Sequence, residues 1–71
     1  MEEETKRIIR NIRKIRRAQK ISQFDFALEL GIAPSHLYYI ESQKVIPSID
    51  VVIKMAKALK VSLVKLAKQR L

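Results

Sequence analysis

Ser22-Gln23-Phe24-Asp25-Phe26-Ala27-Leu28-Glu29-Leu30-Gly31-Ile32-Ala33-Pro34-Ser35-His36-Leu37-Tyr38-Tyr39-Ile40-Glu41 contains the only glycine of a 71-residue chain and one of its two prolines. Ser22 suits the N-cap of a helix, and Asp25 falls in the first turn, where the dipole favours an acid. Gly31 supplies the positive φ that closes a helix. Pro34 suits the first turn of the next helix, because the N–H it lacks would have no partner there. The stretch therefore predicts two short helices around a tight turn. Ala27, Leu30, Ile32, Leu37 and Ile40 are spaced to bury one side of both helices against a shared core. That leaves Ser35, His36, Tyr38, Tyr39 and Ser42 on the outer face of the second, which spans about residues 34–42.

Working outward, Ile8, Ile12 and Ile15 recur at helical spacing and predict a helix over 3–19. Ile9 lies beside that stripe and is expected to be only partly buried. Residues 43–47 read as a loop, since the position before Pro47 disfavours helix. Ser48 caps a fourth helix with Asp50 in its first turn, and Val51, Val52, Met55, Ala56 and Leu59 line its inner side. Ser62 caps a shorter fifth helix carrying Leu63, Leu66 and Ala67. No strand, repeat or linker stands out. The expected fold is an all-α, compact five-helix domain covering 1–71, with a helix-turn-helix at about 22–42.

Composition narrows the function. Cysteine is absent and histidine occurs once, so disulfides, thiol chemistry and a dedicated metal site are not expected. Hydrophobic residues make up 48%, enough for a helical core. No apolar run approaches the roughly 18 residues that span a membrane. The start, Met1-Glu2-Glu3-Glu4, is acidic and lacks an apolar signal segment, so a cytoplasmic location is expected. The net charge is +8, and residues 6–20 hold three lysines, five arginines and no acid. The other seven basic residues equal the seven acids in number, so the whole excess lies in this first segment. Such an excess suits a polyanion, with a merely solvated helix face as the plainer alternative. A helix-turn-helix beside a basic helix points to double-stranded DNA, with the second helix of the motif in the major groove.

The arrangement resembles the Cro/C1-type (XRE-like) helix-turn-helix family of phage repressors and small bacterial regulators. Its members look like I-R-x-L-R-x-x-R-G-L-S-Q, then x-x-L-A-x-x-L-G-V-S, then x-x-x-I-S-x-I-E-x-G-K. They end in P-S followed by L-x-x-I-A-x-A-L-G-V-S-L-x-x-L. The matching pieces are Ile12-Arg13, Ile15-Arg16, Ile21-Ser22-Gln23, Ala27, Leu30-Gly31-Ile32, Leu37, Ile40-Glu41, Lys44, Pro47-Ser48, Ala56, Ala58-Leu59, Val61-Ser62-Leu63 and Leu66. Lys20, Gln43 and Lys60 stand where the family often has glycine at helix ends. These junctions are therefore either mildly strained or differently shaped. Ala33 replaces the usual Ser or Thr cap before the recognition helix.

The resemblance implies that Pro34, Ser35, Tyr38 and Tyr39 approach base edges, with core packing the alternative for either tyrosine. Gln23 opens a helix whose N-terminus favours a phosphate. By resemblance its side chain also binds the DNA backbone and braces the recognition helix. Ser22, His36, Ser42 and Lys44 flank the same surface as phosphate-side residues, a plain surface lysine being the alternative for Lys44. Arg16 and Glu41 resemble the family's ion pair between the first helix and the end of the recognition helix. The family's two-fold interface maps onto the apolar fifth helix, with Leu63, Leu66 and Leu71 as possible dimer contacts and intramolecular packing as the rival.

The resulting expectation is a sequence-specific transcriptional regulator, a repressor acting as a homodimer on a pseudo-palindromic operator, with half-sites about 34 Å apart. It would be no enzyme, and would need no cofactor, metal, membrane or small-molecule ligand. The competing class is a protein-interaction module, antitoxin-like or bridging, built on the same fold. A membrane-surface role for the basic helix is a third reading.

Overall fold

Three serines begin helices by the same device. In the computed structural model, which describes residues 2–69, the hydroxyls of Ser22, Ser48 and Ser62 accept from the backbone N–H groups of Asp25, Val51 and Lys65 at 3.0, 3.2 and 3.0 Å. The helices are α1 (Glu3–Ala18), α2 (Gln23–Leu30), α3 (Pro34–Glu41), α4 (Ile49–Leu59) and α5 (Leu63–Lys68). No strand occurs among the described residues. Ala33 gives α3 no side-chain cap, and Pro34 stands in its first turn.

Four chain reversals share one geometry. Gly31 takes φ 73°, and Lys20, Gln43 and Lys60 take φ 61°, 64° and 60°. At each, the next residue's N–H reaches back to close the turn: Ile21 to Arg16, Ile32 to Ala27, Lys44 to Tyr39 and Val61 to Ala56, at 2.9–3.1 Å. The three non-glycine junctions thus keep the left-handed shape that glycine would adopt at lower cost, and carry the strain themselves.

Phe26, Ala27 and Leu30 from α2, Leu37 and Ile40 from α3, Met55, Ala56 and Leu59 from α4 and Leu66 from α5 close around Ile12 of α1. Helix α1 lies against α5, α4 and α3, while α2 packs on α3 and α4. This wrapping corrects one expectation. Ile9 is buried, and Ile8 and Ile15 are the partly buried flanks of the stripe, because α1 is covered from more than one side. Phe26, not singled out in the sequence, is wholly buried.

Helix α5 is held by side chains of α1. The Asn11 amide donates to the carbonyls of Leu66 and Gln69 at 2.8 and 2.7 Å, and Arg7 donates to that of Ala67 at 3.4 Å. Gln19 likewise donates to the Leu59 carbonyl at the end of α4, at 2.9 Å. These bonds satisfy C-terminal carbonyls that have no partner within their own helices. The dimer expectation changes accordingly. Leu66 is fully buried inside the domain and is not a surface contact, because α5 turns this side chain into the core shared with α1 and α4. Leu63 is half-buried, and Leu71 lies outside the described residues.

Candidate nucleic-acid interface

Helix α3 sorts its side chains sharply. Leu37 and Ile40 are buried, whereas Pro34, Ser35, His36, Tyr38 and Tyr39 are exposed, with the exposed Ser42 at the C-cap. Leu37 and Ile40 sit three apart, on the face that meets the core, so the residues between and before them are carried outward. Tyr38 and Tyr39 are 51% and 45% exposed, which settles both as surface residues. Their rings meet edge to face, with centroids 5.6 Å apart and planes at 69°. Lys44 is exposed just beyond the left-handed Gln43.

The angle of this helix is fixed by a buried charge network. Arg16 Nε donates to Glu41 Oε2 at 2.7 Å, and its Nη2 donates to Oε1 at 2.9 Å. This is the bidentate fork that suits guanidinium to carboxylate. A third Arg16 bond, from Nη1, goes to the Ile21 carbonyl at 2.6 Å. Gln23 Nε2 donates to Glu41 Oε1 at 3.0 Å. Both ions are buried, with side chains only 8% and 2% exposed, so the pair depends on these bonds for its solvation. Helices α1, α2 and α3 are thereby tied at one point, the last turn of α3.

Gln23 therefore braces α3 through its side-chain amide. The Ser22 hydroxyl takes the Asp25 N–H, and the N–H groups of Gln23 and Phe24 fall at positions without an intrahelical acceptor. An anion meets partial positive charge there. The basic excess of α1 is less free than its composition suggests. Arg7 is bonded to α5, Arg16 is locked to Glu41, and Arg10 lies 3.6 Å from Glu3 on the surface. Arg13 lines a small cleft with Gln23, Tyr38, Glu41 and Ser42.

The described residues hold no group of three or more His, Cys, Asp or Glu side chains placed to bind a metal ion. None of their helices is long and apolar enough to cross a membrane. A helix-turn-helix family model matches residues 12–66, from the core Ile12 through the whole network to Leu66. No curated protein and no solved structure matches the chain.

Proposed function

The chain belongs to the Cro/C1-type helix-turn-helix family of DNA-binding regulators, and from that premise we propose that it is a repressor acting as a homodimer on a pseudo-palindromic operator. The observation that carries this reading is the outer face of α3, polar and aromatic, held rigidly by the Arg16–Glu41–Gln23 network. In this reading α3 enters the major groove, and Pro34, Ser35, Tyr38 and Tyr39 meet base edges. Ser22, Gln23, His36, Ser42 and Lys44 face the sugar-phosphate backbone, which fixes register without reading sequence. The protein acts in the cytoplasm, on the nucleoid, by occupying DNA.

An eight-residue reading helix without Arg, Asn or Gln on its face has limited discrimination, and a second copy doubles the sequence read. An apolar groove of about 350 Å³, left open by the described residues, supports that copy. It runs beside the loop leaving α3 and is lined by Ile46, Ile49, Val52 and Leu63 among others. Ile46 and Ile49 are 70% and 64% exposed. Ile49→Lys is expected to give a folded monomer in sedimentation where the parent is a dimer. A monomeric parent at the concentrations used for DNA binding overturns the dimer.

Selection of bound duplexes from a random DNA library tests the whole reading. Enrichment of a two-fold symmetric sequence, its half-sites one helical turn apart, is expected. Binding without any sequence-dependent competition removes the repressor and moves the protein-interaction module ahead.

A further inference from the structure

Arg13 stands one turn before Arg16 on α1, on the flank that faces α3. The cleft it lines measures about 140 Å³ and draws on three helices: Arg13 from α1, Gln23 from α2, and Tyr38, Glu41 and Ser42 from the end of α3. Its polar groups are not equally available. Both oxygens of Glu41 are taken by Arg16, and one also by Gln23, so the only acid of the cleft is already neutralised. The Ser42 hydroxyl donates to the Tyr39 carbonyl at 3.3 Å. Arg13 is exposed and forms no hydrogen bond or ion pair among the described residues. The opening therefore offers one uncommitted guanidinium beside a phenol, over a closed ion pair.

Such a set suits an oxyanion of one small group: the guanidinium supplies charge and paired donors, the phenol a single O–H. The cleft, about 140 Å³ and open to solvent on one side, has room for one phosphate group. Resting on the DNA-binding reading above, but moving Tyr38 from the base edges to the backbone, we propose that Arg13 and Tyr38 together seat one phosphodiester of the DNA backbone, which leaves Tyr39 as the tyrosine that reads bases. The two neighbours differ because only Tyr38 lines the cleft, and the edge-to-face contact keeps the rings at different angles. Adjacent residues of one type then divide the work, one for position and one for sequence.

Binding constants of the Arg13→Gln, Arg13→Lys, Tyr38→Phe and Tyr39→Phe variants test this. The probes are the duplex selected by the parent protein and a scrambled duplex of equal length, across a range of salt. Arg13→Gln is expected to weaken both duplexes by the same factor, about tenfold, and to lower the slope of log K against log salt by about 0.9. Arg13→Lys restores the slope, and Tyr38→Phe weakens both duplexes equally. Tyr39→Phe instead narrows the gap between the two duplexes. A neutral methylphosphonate placed along the selected duplex should weaken the parent at one position that is silent in Arg13→Gln. An unchanged salt slope in Arg13→Gln, or altered base preference in Tyr38→Phe, overturns the seat. If the parent binds neither duplex, the DNA-binding reading itself fails, and the seat with it.

Discussion

Gln23 and Glu41 are joined by a 3.0 Å hydrogen bond from Nε2 to Oε1, on the same oxygen that accepts from Arg16 Nη2. The first residue of α2 thus holds the last residue of α3, and the turn between them spans a fixed distance. The carboxylate is the hub: it receives three donors while nearly inaccessible to water.

Removing the hub should be costly and removing the whole pair should not. Glu41→Ala leaves the Arg16 guanidinium buried without its counter-ion, and a loss of about 3–5 kcal/mol in denaturant unfolding is expected. Arg16→Met combined with Glu41→Leu should recover much of that loss, since burial of the ions is itself expensive. Additive single and double effects would mean that the two side chains are energetically independent.

Asn11, near the middle of α1, gives a second prediction. Asn11→Ala strips donors from the Leu66 and Gln69 carbonyls, at a cost of about 1–3 kcal/mol in thermal or denaturant unfolding. Amide exchange in α5 should accelerate more than exchange in α3. Equal acceleration everywhere would show that Asn11 stabilises the domain without clasping α5.

Along α3 neighbouring residues should part company. Leu37→Ala and Ile40→Ala each open a cavity in the core and should lower stability by about 2–5 kcal/mol. Ser35→Ala and Tyr39→Ala remove exposed groups, so the melting temperature should hold while operator affinity falls by about 1–3 kcal/mol. Lys44→Ala should weaken every duplex alike. Folded Ser35 and Tyr39 variants that bind as the parent does would refute α3 as the reading helix.

The left-handed junctions predict gains. Lys20→Gly and Lys60→Gly should each stabilise the domain by up to about 1 kcal/mol, because glycine adopts positive φ without the Cβ penalty, partly offset by its freer unfolded state. Gly31→Ala should lose a similar amount. A Cβ there meets no atom within 4 Å, so the loss isolates backbone strain from crowding. No change in unfolding midpoint for any of the three would contradict the assigned conformations.

Much of the fold was legible because helix ends carry their own chemistry. Ser22, Ser48 and Ser62 marked three starts, Gly31 and Pro34 framed the central turn, and the α4 stripe lay where its spacing placed it. The face of α3 was legible for the same reason, Leu37 and Ile40 leaving a single outward side. Other features depended on contacts remote in sequence. Phe24 and Phe26 look alike in composition, and only the packing of α2 on α3 and α4 makes one exposed and the other core. The i, i+4 spacing of Phe26 and Leu30 was the available signal. Asn11 read as one polar residue in a basic helix, since its acceptors lie 55 and 58 positions away. Arg13 was one arginine among five until the cleft it lines with the end of α3 set it apart.

The Asn11 clasp also bears on how the protein is made. Helix α1 emerges first during synthesis and α5 last among the described helices, yet the two lie side by side. Ile12 can be covered by α2, α3 and α4 as they form, but the bonds from Asn11 to α5 wait for the latest helix to leave the ribosome. A chain broken off before α5 lacks the partner that closes α1, although it already contains the complete reading helix. The remote clasp thus makes the seating of α5 on α1 the last join of the domain, whereas the tie between α1 and α3 through Arg16 and Glu41 needs only residues already made.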